Sequence, residues 1–333
     1  MKIFCDYHHA GLYASIHRLF VDRLGAELYR PIGLEWAEKG IWRYSQELAT
    51  QRQYLDKVGV EPHPSGYYTS FENSEGINHR LLTFEQFYNT PIDLVLATVS
   101  EHETSFFNLQ QNCQPKAAFI RLIGNCGEPV DWSISRNVLD TTGLYEAPPL
   151  LNMATIHQEF SLDTFHYEPP KQTKKIKSFV NCIRDSGHYD EYQALRSALP
   201  EFSWFEHGHH GADGFLNPVS KVAEAMRDSD FICHLKTGGE GFGHIIHNAF
   251  AVGRPPITVK GYYKGKIADP LIIPGETAVC LDNLTLDDAV SLVRKLGQPD
   301  KHLRICENAA KRFRQIVNFD YEADVVRSWL DRI

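Results

Sequence analysis

Short apolar runs alternate with segments of helical hydrophobic spacing along most of this sequence. Residues 2–5 form the first run, and apolar side chains then recur at helical spacing from Leu12 to Leu24. Gly25 follows where a helix commonly ends in the left-handed conformation, and residues 26–31 form a second run. A strand, a helix and a further strand in this order are typical of a parallel sheet covered by helices.

The same alternation returns twice along the chain. Nearly continuous apolar runs at 92–99 and 117–123 suit strands that are buried on both faces. Between the first strand–helix–strand series and these runs, residues 35–90 are polar and rich in aromatic side chains. We predict inserted helices and loops there. A linker-like stretch at about 160–177 contains two adjacent prolines and four lysines, and it separates a second alternating series that begins at residue 176.

We therefore predict an α/β protein of two Rossmann-like domains that face each other across a cleft. The first domain spans 1–165 and includes the insertion at about 35–90. The second domain spans 170–317. A final helix, at 318–333, ends the chain.

Composition and charge exclude several classes of protein. With 43% hydrophobic and 23% charged residues, the 333-residue chain has the profile of a well-packed globular protein. No apolar run approaches the roughly 18 residues of a membrane span, and the first residues lack the features of a signal peptide. The seven scattered cysteines form no C-x-x-C pair, which favours reduced thiols and a cytoplasmic location. The net charge of −8 argues against a general affinity for nucleic acid or anionic membranes.

The segment from Lys236 to His244, with the sequence K-T-G-G-E-G-F-G-H, carries the strongest chemical signal. It directly follows a predicted strand and begins a predicted helix. The free N–H groups and the positive dipole at such a junction favour a diphosphate, and glycines let the backbone approach it closely. Glu240, at the start of the helix, can accept hydrogen bonds from sugar hydroxyls.

Several other catalytic signatures are absent from the sequence. There is no G-x-S-x-G elbow, no P-loop, and no G-x-G-x-x-G after the first predicted strand, which argues against a serine hydrolase, a nucleoside triphosphatase and a nicotinamide enzyme. The H-G-H-H segment at 207–210 offers imidazoles to a metal ion. Adjacent histidines in one glycine loop seldom surround a single ion, so we predict no metal site.

The second half of the sequence resembles the donor domain of GT-B glycosyltransferases, particularly the retaining family 4 type. E-G-F-G at Glu240 and N-A-F-A-V-G-R-P from Asn248 are similar to the family's E-G-F-G…E-A-x-A-x-G-x-P signature. Residues 179–184, 204–210, 219–226 and 274–279 are similar to further segments of that domain. These segments extend the resemblance over 176–317. In the first half of the chain, only the predicted order of strands and helices resembles that of the family.

The resemblance implies a fold and an activity. It implies a nucleotide-sugar donor domain at 170–317, an acceptor domain at 1–165, and a terminal helix at 318–333 that packs back on the first domain. The implied enzyme is a hexosyltransferase that needs neither a cofactor nor a bound divalent ion. Its implied donor is UDP- or GDP-linked, and its implied reaction retains the anomeric configuration.

The resemblance also assigns roles to individual residues. The residues assigned to donor binding are Arg184, Lys236, Gly239, Gly241, Phe242, Gly243, His244 and Asn248. Glu240 matches the acidic residue that contacts the donor sugar. In the first domain, His102 follows a strand much as a family histidine near the donor sugar does, and His9 lies in the first strand–helix turn. Asp6, His9 and His102 are the candidate bases if the reaction inverts configuration instead.

Two positions depart from the family pattern. Asn248 stands where the family has a second Glu that binds ribose, and an amide is a weaker acceptor than a carboxylate. Tyr189 stands where the family has a phosphate-binding Lys. A cation is therefore missing near the expected diphosphate, and Lys236, His188 and His244 are the candidates to replace it.

Three functions follow as hypotheses. The leading one is transfer of a sugar from a nucleoside diphosphate to a hydroxyl acceptor. A second is glycosylation of hydroxymethylated DNA bases, with a contact surface formed by the basic residues Arg30, Lys39, Arg43 and Arg52. A third is a sugar-nucleotide-binding protein without turnover, which the departures at Asn248 and Tyr189 motivate.

Overall fold

Each half of the chain builds a sheet of its own. The structure, a computed structural model, describes residues 1–6, 9–32, 61–72, 76–146, 148, 151–236 and 240–333. The first compact unit consists of Met1–Phe160 and Phe319–Ile333, and the second of Ser161–Asn318. The acceptor and donor roles of the two domains stay predictions.

The strands of the first unit are β1 (Lys2–Cys5), β2 (Glu27–Pro31), β3 (Glu61–Pro62), β4 (Tyr68–Glu72), β5 (Ile77–Leu82), β6 (Leu94–Ala97), β7 (Ala118–Ile123), β8 (Asn137–Asp140) and β9 (Asn152–Thr155). Those of the second unit are β10 (Lys175–Ser178), β11 (Ser203–Glu206), β12 (Phe231–Cys233), β13 (Pro256–Thr258) and β14 (Val279–Cys280).

The helices alternate with these strands in both units. They are α1 (Ala10–His17), α2 (Phe84–Asn89), α3 (Ser100–Cys113), α4 (Tyr189–Ala198), α5 (Val219–Arg227), α6 (His244–Ala251), α7 (Leu286–Leu296), α8 (Pro299–Ile316) and α9 (Phe319–Leu330). A π-helical stretch, Arg18–Arg23, continues α1, and Gly25 then adopts a φ of +69°. The predicted helix stop at this glycine is confirmed.

The first sheet has the strand order β3-β4-β5-β2-β1-β6-β7-β8-β9. All neighbours are parallel except β4, which is antiparallel to both β3 and β5. On one face, Ile3 and Cys5 belong to a core that includes Trp329 of α9, which is fully buried. On the other face, the ring of Phe4 lies 4.3 Å from that of Phe87 on α2. Helices therefore cover both faces, as the continuous apolar runs predict.

The prediction of helices and loops at 35–90 is wrong for the residues of β3, β4 and β5, whereas α2 agrees with it. Residues 73–75 lie outside the described residues. Along β5 the buried positions alternate, with Ile77, His79 and Leu81 buried and Asn78 exposed. This period of two is that of a strand. The buried polar His79 hides the pattern in the sequence; its ring stacks on Tyr13 at 4.6 Å. Residues 35–60 of the same prediction lie outside the described residues.

The chain leaves the first unit and re-enters it at neighbouring points of that unit. The rings of Phe160 and Phe319 meet edge to face at 5.6 Å. Arg23 binds the carboxylate of Glu159, with its Nε 2.6 Å from Oε2, and also pairs with Asp320. These contacts attach α9 to the π-helical stretch and make it an integral part of the first unit.

The second sheet is parallel throughout, with the order β11-β10-β12-β13-β14. Behind it, Arg254 follows α6 and is fully buried. Its guanidinium donates hydrogen bonds of 2.8–3.3 Å to the backbone carbonyls of Glu168, Arg227, Ser229, Val252 and Gly253. This one side chain joins the segment before β10 to the ends of α5 and α6.

All seven cysteines are free thiols. Within the described part of the chain, no helix combines the length and the apolar character that a membrane crossing requires.

Candidate functional site

The carboxyl edge of the second sheet carries most of the residues predicted to bind a donor. Parallel strands place their carboxyl ends at one edge, and the chain reverses its direction of winding between β10 and β12. Such a reversal opens a crevice in which α/β proteins bind their ligands. The loop at 179–188 follows β10, and residues 234–236 follow β12, so both border this crevice.

Glu240 is held through both carboxylate oxygens, one by a histidine and one by a lysine. His234 Nε2 lies 2.7 Å from Oε2, and Lys236 Nζ lies 3.1 Å from Oε1. Lys266 Nζ donates to the backbone carbonyl of Glu240 at 2.9 Å. Burial on its own would raise the pKa of Glu240, but attraction and hydrogen bonding from His234 and then Lys236 lower that pKa well below its ordinary range. The carboxylate is therefore ionised and fixed in position.

A glycine turn leads from Glu240 into α6. Gly243 is the residue before the helix and has a φ of +74°, a backbone conformation that residues other than glycine rarely adopt. A Cβ there would lie 3.5 Å from the ring of Tyr263 and 3.6 Å from Glu240 Oε2. Gly241 and Phe242 are buried in the same turn. The N–H groups of the first helical turn lack intrahelical partners, which is the property required for the predicted diphosphate contact. Gly239 lies outside the described residues.

Asn248 and His244 lie one turn apart on α6. Asn248 is 8% exposed, and its Oδ1 has no hydrogen-bond partner within the described ranges. A buried amide oxygen without a donor is unfavourable, so a ligand hydroxyl that donates to Oδ1 would bind favourably here. The ring of His244 is half-buried and meets Phe242 edge to face at 5.0 Å. The predicted ribose contact of Asn248 stays a prediction.

Arg184 lies on a short 3₁₀ turn, Ile183–Asp185, directly after β10. Its side chain is exposed, and the described residues give its guanidinium no ion pair. The loop itself is fixed, because the N–H of Cys182 donates to the carbonyl of His209 at 2.7 Å. On the same loop, His188 Nε2 lies 2.7 Å from the hydroxyl of Tyr262. Arg184 thus presents an accessible charge from a fixed backbone.

The carboxyl edge of the first sheet holds an aspartate–histidine pair. Here the winding reverses between β1 and β6, and Asp6 directly follows β1. Its buried carboxylate accepts a hydrogen bond from the N–H of Thr98, at 2.9 Å from each oxygen, and lies 2.8 Å from His102 Nδ1. A carboxylate on Nδ1 fixes the tautomer and orientation of an imidazole. The structure therefore brings two of the predicted catalytic residues together, while His9 is the exposed residue before α1.

Of the residues that hold Glu240, the sequence predicts a site role for Lys236 but none for His234 or Lys266. Nothing in the sequence marks His234 as the partner of a carboxylate six positions later. Tyr263 and Lys266 follow β13, the neighbour of β12 at the same edge. Their position after a strand of the second half is the signal that could have identified them.

Two alternatives proposed from the sequence find no support in the geometry. No group of three or more His, Cys, Asp or Glu residues could hold a metal ion in the described ranges. In the H-G-H-H segment, His209 instead stacks on Phe215 at 4.7 Å. The predicted nucleic-acid surface is wrong for Arg30, which is only 4% exposed. Its other members, Lys39, Arg43 and Arg52, lie outside the described residues.

Comparison with known proteins identifies the fold. No protein-family model matches the chain, and no curated protein matches it. Among solved structures, Anabaena HepE in complex with UDP and glucose is similar over all of both chains, with a TM-score of 0.67 and 12% identity. Sucrose-phosphate synthase from Thermosynechococcus elongatus has a TM-score of 0.66 and 11% identity, covering 100% of this chain and 98% of its own. A glycosyltransferase from Rickettsia africae has a TM-score of 0.63 and 12% identity, covering 99% of this chain and 98% of its own. The predicted mixed α/β fold, that of the GT-B glycosyltransferases, is thereby confirmed.

Proposed function

We propose that this protein is a glycosyltransferase that moves a sugar from a nucleoside diphosphate to a hydroxyl acceptor. The observation that carries the proposal is the ionised Glu240 carboxylate, fixed beside the glycine turn that begins α6. It lies where an α/β sheet of this order binds ligands. A fixed carboxylate suits sugar hydroxyls, and an adjoining helix start suits a diphosphate.

Catalysis in this proposal is mainly electrostatic. The departing nucleoside diphosphate gains negative charge as the glycosidic bond breaks. Backbone N–H groups at Gly241–Gly243 and the cationic side chains of Arg184 and Lys236 stabilise that charge without rearranging during the reaction. No metal ion or other cofactor is needed in this mechanism.

The Asp6–His102 pair is the proposed contribution of the first unit. With its Nδ1 directed to the Asp6 carboxylate, the His102 imidazole is held in one tautomer and one orientation. A role as a hydrogen-bonding group at the sugar suits a retaining enzyme, and a role as a general base suits an inverting one. We favour retention, because the Glu240 motif resembles that of retaining enzymes.

The donor is proposed to be linked to UDP or GDP. Solved structures of similar fold support the uridine series, since Anabaena HepE has been crystallised with UDP-glucose and an α-glucosyltransferase with UDP. A hexose is the proposed transferred group. The proposed location of the enzyme is the cytoplasm.

Binding and turnover together test this proposal. Thermal unfolding is measured with UDP, GDP and their hexose conjugates, and a ligand at 100 times its Kd should add about 2.7 kcal/mol of stability. Nucleotide release is then followed with a panel of hydroxyl acceptors. Glu240→Gln should lower kcat by about 100- to 1,000-fold, and the exposed Glu224→Gln on α5 should leave it unchanged.

Each outcome of these assays has a definite meaning. Binding of none of the nucleotides by the wild-type protein would refute the donor site. Binding without transfer to any acceptor would identify a sugar-nucleotide-binding protein instead. The anomeric configuration of the product, read by proton NMR, decides between retention and inversion.

A further inference from the structure

The two side chains that hold the Glu240 carboxylate, His234 and Lys236, differ strongly in their freedom to move. The His234 side chain is 1% exposed at the end of β12 and is confined by its packing. The Lys236 side chain is 38% exposed, and its Nζ makes the longer contact, 3.1 Å to Oε1. An ammonium group on a flexible four-carbon stem can turn towards another anion, whereas a packed imidazole cannot.

The backbone of Glu240 is held without help from Lys236. Lys266 is 9% exposed and donates from Nζ to the Glu240 carbonyl at 2.9 Å. The same ammonium lies 5.7 Å from the ring of Tyr263, which packs against the turn at Gly243. Movement of Lys236 would therefore remove its contact with Oε1 while His234 still holds the carboxylate through Oε2.

We propose that Lys236 is an exchange residue of the donor site, an inference that rests on the proposed function. In the free protein its ammonium pairs with Glu240. On binding of a nucleoside diphosphate sugar, the ammonium moves to the diphosphate and a sugar hydroxyl donates to Glu240 Oε1.

The charges favour this exchange. A diphosphate carries more negative charge than one carboxylate, and the chain has Tyr189 where related donor sites are expected to have a second cation. Lys236 supplies that cation only when the diphosphate is present. The exchange thereby links recognition of the two parts of the donor, because Lys236 turns to the diphosphate as a sugar hydroxyl binds Glu240.

The exchange predicts opposite effects of one substitution on two ligands. Glu240→Gln removes the anion that competes for Lys236, so UDP should bind about two- to fivefold more tightly. UDP-glucose loses a charge-assisted hydrogen bond in the same variant, so the ratio of UDP-glucose affinity to UDP affinity should fall by about tenfold or more. A static ion pair between the two residues predicts no gain for UDP.

Substitutions of Lys236 complete the test. Lys236→Met should weaken both UDP and UDP-glucose by about tenfold and leave uridine, which has no phosphate, unchanged. Lys236→Arg should restore most of the UDP affinity. In the double variant Lys236→Met/Glu240→Gln, the gain for UDP should vanish. Lys221→Met, at an exposed site on α5, is the matched control.

Isothermal titration calorimetry at low ionic strength measures these affinities on the intact chain. The probes are UDP, UDP-glucose and uridine, or GDP, GDP-mannose and guanosine if the wild-type protein binds the guanosine series. Binding of neither series by the wild-type protein would refute the proposed function itself. Wild-type binding together with unchanged or weaker UDP binding by Glu240→Gln would refute only the exchange.

Discussion

Replacement of Arg254 by Met tests whether one buried side chain organises the second unit. The guanidinium is fully buried and donates only to backbone carbonyls of its own unit. Methionine fills much of the same volume but offers no donor. The substitution therefore isolates the hydrogen bonds from the packing of the aliphatic stem.

The expected loss of stability follows from the three shortest contacts. Those to Arg227, Ser229 and Glu168 measure 2.8–2.9 Å. Hydrogen bonds from a charged group contribute about 1.5–3 kcal/mol each, so three of them set an upper bound of about 4.5–9 kcal/mol. Partial rehydration of the carbonyls reduces this, and disruption of buried polar networks typically costs about 3–5 kcal/mol. We expect a loss in that range, which lowers Tm by about 6–20 °C for a unit of this size.

Calorimetry combined with hydrogen exchange measures this effect unit by unit. The midpoint of the transition should fall, and amide protection should be lost across 161–318 but kept in 1–160. Arg312→Met is the matched control, because Arg312 is half-buried and, among the described residues, its Nε donates to a single carbonyl, that of Pro270, at 2.8 Å. If Arg254→Met lowers the free energy of unfolding no more than Arg312→Met does, the hydrogen bonds of Arg254 do not organise the second unit.

Two further predictions concern stability. Trp329→Ala should destabilise the first unit by about 3–5 kcal/mol in urea, because a fully buried indole leaves its core, whereas Ser328→Ala on the exposed side of the same helix should change it by less than about 0.5 kcal/mol. The lowered pKa of Glu240 means that its charge stabilises the folded unit above the ordinary pKa of 4.5 and that this contribution is lost as the pH falls through the folded pKa. The difference in unfolding free energy between wild type and Glu240→Gln should therefore shrink as the pH falls below 4.5, and a difference that stays constant or grows there would contradict the assignment.

Much of the second unit was predictable from the sequence because apolar runs and helical spacing alternate with clear boundaries from residue 176 onwards. This alternation is observed in β10, α4 (Tyr189–Ala198), β11 and α5 (Val219–Arg227). The strands β8 and β9, which extend the first sheet, were not predicted. Each has a polar residue at both ends, so neither forms a continuous apolar run in the sequence.

The candidate site was predictable only in part. Glu240 and the glycines stand together in the sequence, so their proximity needs no knowledge of the fold. Asp6 and His102 are 96 residues apart, and only the parallel pairing of β1 with β6 places one beside the other. The partner His234 could not be chosen from sixteen histidines, because its contact depends on the path of the turn after β12.

The attachment of α9 to the first unit has a consequence for the order in which the chain folds. The second unit is in effect an insertion between Phe160 and Phe319, whose rings touch within the first unit. A ribosome delivers residues 161–318 before 319–333, so the inserted unit can fold while the surrounding one still lacks Trp329. The unit that is begun first is thus completed last. A chain whose synthesis stops before residue 319 would carry a finished second unit on an unfinished first one.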